Sequence, residues 1–102
     1  MGDRINFSRV NAAAISHIET IVFRWLPDGK QAGVEWVARN PKRSDRRLGS
    51  FKINMTTGAW GDFASGDYGG DLVSLAAYLH TNGDQRQAAI EVAEMCGCNP
   101  YE

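Results

Sequence analysis

Five cations fall within nine residues of this chain: Arg39, Lys42, Arg43, Arg46 and Arg47. Guanidinium and ammonium groups at that density suit one chemistry above others, contact with the phosphates of a nucleic-acid strand. Lys52 follows shortly after, and Trp60 and Tyr68 lie a little further on. Aromatic rings beside a cationic stretch suit stacking of unpaired bases. Two other groupings suit a metal. Asp62, Asp67 and Asp71 have the ligand type that magnesium takes. His17, His80, Cys96 and Cys98 have the ligand types of zinc. Cys-x-Cys is not the usual zinc spacing, and the two histidines are far apart in the chain. Helix-surface and cap roles explain both histidines more simply. Neither a nucleophile motif nor a Gly-x-x-x-x-Gly-Lys-Ser/Thr loop occurs, so neither covalent catalysis nor ATP-driven activity is expected.

The net charge of −1 conceals an asymmetry. Residues 30–52 carry seven basic side chains against Glu35 and Asp45, whereas residues 53–102 carry Arg86 alone against seven acids. A phosphate backbone responds to the local field of the first segment and not to the average. With 102 residues, a single small domain spanning 1–102 is expected. No apolar run approaches the ~20 residues of a membrane span, and the first residues lack the apolar core of a signal peptide. Two cysteines near the end, Cys96 and Cys98, make no disulfide framework. A cytoplasmic location with no membrane partner is the expectation.

The elements that must hold these residues are read from periodicity. Ala14, Ile18, Ile21 and Trp25 repeat at helical spacing, after an N-cap at Asn11 or Ser8. Pro27-Asp28-Gly29 ends that helix. Val34, Trp36 and Ala38 alternate with Glu35, Val37 and Arg39 and predict a strand with Trp36 inward. Asn40 to Gly49 is a basic loop. Phe51, Ile53 and Met55 mark a second strand, Thr56-Thr57-Gly58 a turn, and Ala59 to Phe63 a third strand closing a hairpin. Ala64 to Gly70 is a loop, and the stretch Gly66 to Asp71 opens a helix with backbone N–H groups that suit a phosphate. Asp67 and Asp71 place negative charge there, so Asp71 reads as a cap or first-turn acid of the next helix. That helix carries Leu72, Leu75, Ala76 and Leu79. Gly83 breaks it, Asp84 and Gln87 resemble a capping box for a last helix, and Gly97 caps its end. The expected architecture is α+β: a three-stranded antiparallel sheet with one N-terminal and two C-terminal helices.

The segments Gly49-Ser50-Phe51, the aromatic strand through Trp60, and Gly70-Asp71-Leu72, together with Trp36-Val37-Ala38-Arg39-Asn40-Pro41, resemble the N-terminal zinc ribbon of bacterial, phage and plasmid DNA primases. The likeness runs almost throughout the chain. It is closest to a branch from mobile elements that often precedes a toprim or helicase domain. In that ribbon two ligand pairs flank the strands. Here the second pair would fall at Phe63 and Gly66, and the first within Arg39 to Ser44, where no cysteine or histidine stands. The resemblance therefore implies a zinc-ribbon-like fold with its metal lost, and no cofactor. A structural zinc contributes ~10 kcal/mol or more to folding. Burial of Trp36, Phe51, Trp60 and Phe63, with Trp25 of the first helix, is expected to take its place, Phe63 filling the volume of a ligand cysteine and metal.

The expected function is a non-catalytic nucleic-acid-binding module of a primase-like DNA replication protein. Its partners would be single-stranded DNA or a primer–template, and a toprim or helicase domain of the same replication protein. Arg39, Lys42, Arg43, Arg46, Arg47 and Lys52 would meet phosphates, and Trp60 and Tyr68 would meet bases. Primase catalysis belongs to the toprim domain, so the aspartates are not read as a polymerising centre. The rival from another class is a protein-interaction module that docks a helicase or polymerase without binding DNA. The ending Pro100-Tyr101-Glu102 follows a finished helix, compatible with a piece of a larger primase and with a short stand-alone product.

Overall fold

The computed structural model describes residues 4–42 and 49–102. The chain forms two compact units, one of residues 1–17 with 72–102, the other of residues 18–71. The class is α+β, as expected. The number of strands is not: the sheet has five, not three.

The first unit is helical. Its helices are α1 (Phe7–Ser16), α3 (Leu72–His80) and α4 (Gln85–Cys96). Helix α1 starts earlier than expected, because Asn6, and neither Asn11 nor Ser8, is its N-cap, with Oδ1 accepting from Arg9 N at 2.9 Å. Asn11 lies inside α1 and caps a different helix: its Oδ1 accepts the Val73 backbone N–H of α3 at 3.1 Å. Asp84 caps α4 by accepting from Gln87 N at 3.0 Å, and Gly97 ends it in the left-handed region at φ 69°. The Gln87 side chain donates to Glu91, so only half of a capping box forms. Val10, Ala14, Leu72, Leu75, Ala88 and Val92 supply the buried interior. The two ends of the chain are tied together within this unit. Ile5 and Tyr101 form an antiparallel bridge, and Arg9 Nη1 donates to the carbonyls of Tyr101 and Asn99 at 2.6 and 3.2 Å.

The single N-terminal helix of the sequence reading is two helices, α1 and α2 (Ile18–Trp25), parted at His17, whose φ of −122° leaves the helical region. No proline or glycine marks the break. Just before it, Ser16 Oγ donates back to Ala12 O at 3.3 Å, a type of bond that often bends helices.

The second unit holds α2 and an antiparallel meander in the order β1-β2-β3-β4-β5. The strands are β1 (Lys30–Ala32), β2 (Glu35–Ala38), β3 (Phe51–Asn54), β4 (Trp60–Asp62) and β5 (Tyr68–Gly69). The two strands that sequence missed lie at the edges. β1 is exposed throughout and shows no apolar alternation, so periodicity gives it no signal. β5 has two residues and sits inside what reads as a glycine loop. The two-residue turn Gly33-Val34 joins β1 to β2, which leaves Val34 exposed rather than inward. Register then sorts the side chains, because directly paired residues share a face. Trp36, Ile53 and Trp60 are paired in one row, and Ala38, Phe51 and Asp62 in another. All six are buried, and they define the inner face. The opposite face carries the row Lys30, Val37, Lys52, Gly61 and Tyr68. Phe23 of α2 meets Trp36 with ring centroids 4.6 Å apart, and Trp36 Nε1 donates to Leu26 O at 2.9 Å.

Candidate nucleic-acid interface

The outer face of the sheet gathers charge and open aromatic surface. Lys30 and Lys52 occupy one transverse row with Tyr68. Phe63 follows β4 and pairs by its backbone, Phe63 N donating to Ser50 O at 2.9 Å. Its ring lies on that face, lining one groove with Lys52 and Gly61. Phe63 and Tyr68 are each 82% exposed, the two most open large hydrophobic side chains among the described residues. The Lys52 ammonium stands 5.6 Å from the Phe63 ring centroid and 4.0 Å from Glu35 Oε1. A groove of about 290 Å³ runs here, lined by Lys52, Asn54, Gly61 and Phe63 among others.

Phe63 thus corrects one expectation. It does not fill a core volume. The inner position that faces Phe51 across the ladder belongs to Asp62, and one residue further along a strand must point the other way. The buried rings are Trp36, Phe51 and Trp60. Phe51 and Trp60 meet edge to face with centroids 6.1 Å apart. Trp60, read as a base-stacking candidate, lies on the inner face and is 7% exposed.

The basic segment departs from the end of β2. Arg39 and Lys42 are exposed. Arg43, Arg46 and Arg47 lie outside the described residues. The root of this segment is fastened by a pair that sequence reasoning did not single out. Asn40 and Asp62 are buried at 1% and 2% exposure, and Asn40 Nδ2 donates to Asp62 Oδ2 at 2.8 Å. Asn40 Oδ1 accepts from Lys42 N, and Asp62 Oδ1 accepts from Ala64 N, both at 2.8 Å. One amide and one carboxylate therefore join the departing basic segment to the turn after β4. A buried polar group is costly unless its hydrogen bonds are made, so the pair holds these two backbone segments in one arrangement. The only hint in the sequence is the Asn-Pro dipeptide at a strand end, which reads as a turn.

Asp67 engages Ser65 Oγ, 2.9 Å from its Oδ2. Among the described residues no group of three or more histidine, cysteine or acidic side chains could hold a metal ion. Cys96 and Cys98 are free thiols, and burial first, then the neighbouring Cys98, raise the Cys96 pKa. No helix among the described residues is long and apolar enough to cross a membrane. With this geometry in hand, neither a family model, nor a curated protein, nor a solved structure matches the chain.

Proposed function

We propose that this chain is a non-catalytic module that binds single-stranded nucleic acid, with the sheet's outer face as its platform and the basic segment as its phosphate clamp. The observation that carries the reading is the juxtaposition on one face of Lys30 and Lys52 with the open rings of Phe63 and Tyr68. Single-strand binders combine these two elements, cations that follow the backbone and rings on which successive bases stack. The exposed Arg39 and Lys42 extend the cationic path from the adjoining strand end. The ribbon-like segments of the sequence favour a role in a primase-like replication protein, with template DNA or a primer–template as ligand. They also favour a zinc-ribbon-like ancestry without the metal.

Anisotropy titration of labelled single strands against salt tests the reading. For single strands, log affinity falls against log salt by about 0.7 per phosphate contact, so five contacts give a slope of roughly −3.5. Replacing Arg43, Arg46 and Arg47 together by alanine flattens it by about two. Absence of binding at low salt defeats the proposal. The docking of a helicase or polymerase is then the better reading, and the exposed Phe7 and Met95 of the helical unit are where it would be sought.

A further inference from the structure

Gly61 is the residue on the outer face with no evident structural reason to be glycine. It lies in the middle of β4, where glycine weakens a strand and marks a place another group approaches closely. Gly58 and Gly66, in the flanking turns, have φ of 82° and 83°, which L residues rarely adopt. Gly61 does not share that backbone. A Cβ built on it would meet Tyr68 Cβ at 3.6 Å and Asp67 O at 3.7 Å, ordinary contact distances. The fold itself would accept a side chain there.

The missing side chain opens a notch. Gly61 is paired with Lys52 on β3 and with Tyr68 on β5, and Phe63 stands two residues along on the same face. The notch has a bare backbone floor, a cation on one side, and two rings at 82% exposure beside it. The adjoining groove of about 290 Å³ runs past Lys52 and Phe63. The geometry points to Gly61 as the floor of a subsite for one unpaired base, stacked against Phe63 or Tyr68, with Lys52 meeting the adjacent phosphate. This deepens the single-strand reading and rests on it. The charge of the face selects the occupant: a flat, uncharged ring attached to an anion matches a strand of nucleic acid. Glu35, 4.0 Å from Lys52, is the competing anion that the phosphate displaces.

The test compares two ligands, a labelled oligothymidylate and an abasic strand of equal length, on the whole chain. The wild type should prefer the base-bearing strand by about ten-fold, the scale of one stacked base. Gly61→Val fills the notch with a residue suited to a strand and should bring that preference to about one-fold, with thermal unfolding unchanged or raised. Phe63→Leu, at an exposed position, should lower the preference several-fold without altering the fold. Binding to the abasic strand, and its salt slope, should be the same in all three proteins. A preference that survives both substitutions overturns the subsite and leaves the phosphate clamp standing, as does a wild type that binds both strands equally. A wild type that binds neither strand overturns the subsite together with the function on which it rests.

Discussion

The helical unit and the sheet unit solve the same problem with different materials. The interior of the helical unit is aliphatic and small, with Ala14, Ala76, Ala77, Ala88, Ala89 and Ala93 all buried beside valines and leucines. Alanine lets helix axes approach closely, and each helix satisfies its own backbone internally. Polar side chains are needed only at helix ends, and Asn6, Asn11 and Asp84 serve there. The interior of the sheet unit adds the large rings of Trp36, Phe51 and Trp60 to aliphatic side chains such as Ile21, Val22 and Ile53. Its strands are two to four residues long, so much of its backbone lies in turns. Turn backbone finds partners in side chains. Asn54 Oδ1 accepts from Thr56 N and Thr57 N, and the buried Asn40 and Asp62 accept from Lys42 N and Ala64 N. Both buried polar residues among those described belong to this unit. The lesson is that a small sheet with long connections depends on specific polar bonds where a helix bundle depends on close approach.

The most disruptive test of that contrast is Asp62→Ala. It removes the acceptor of the Asn40 amide and of the Ala64 N–H, and should cost about 3 kcal/mol. All three tryptophans, Trp25, Trp36 and Trp60, lie in the sheet unit. Urea unfolding followed by tryptophan fluorescence therefore reads the loss there. Asn40→Ala should cost less on the Asp62→Ala background than on the wild type, since the two share one interaction. Additive costs would show that the pair is not the fastening described.

Gly29→Ala ranks next. A Cβ at Gly29 would lie 2.7 Å from both Trp36 Cε2 and Val37 O. The ring is held by its bond to Leu26 O and cannot yield freely. Overpacking of this kind costs about 2 kcal/mol, read as a lower urea midpoint and altered near-ultraviolet dichroism of the tryptophans. An unchanged midpoint would mean that the ring shifts without penalty.

In the helical unit the corresponding substitution should be milder. Asn11→Ala removes one cap and should cost about 1 kcal/mol. The signature is faster amide exchange at Val73 in α3 rather than at the start of α1. Faster exchange at the start of α1 would return Asn11 to the role that the sequence suggested for it.

The smallest effect concerns pH. Partial desolvation of the largely exposed His80 imidazole lowers its pKa from 6.5, with Glu91 acting in the opposite sense. The unfolded chain then binds the proton more readily than the folded one. The contribution of neutral His80 to stability is complete above pH 6.5 and declines as pH falls through the lower folded value. His80→Gln should therefore flatten a shallow loss of stability below that pH. A wild-type profile no steeper than the variant's would remove this residue from the account.

Much of the molecule was legible in the chain. Helices α3 and α4 with the Asp84 and Gly97 caps, the β3–β4 hairpin and its Thr56-Thr57-Gly58 turn follow from periodicity and turn chemistry. So does the basic segment, since charge is read without coordinates. These signals are local: each depends on residues within one helical turn or one strand. Whether Phe63 or Asp62 faces inward depends on register against Phe51, twelve and eleven residues away along the chain. That Asn11 caps α3 rather than its own helix depends on a partner sixty-two residues distant. The bareness of Gly61 acquires meaning only once Lys52, Tyr68 and Phe63 surround it. Composition and spacing determined which groups could meet phosphate. Only tertiary pairing decided which rings lie open beside them, because the face of a side chain is a property of two strands and not of one.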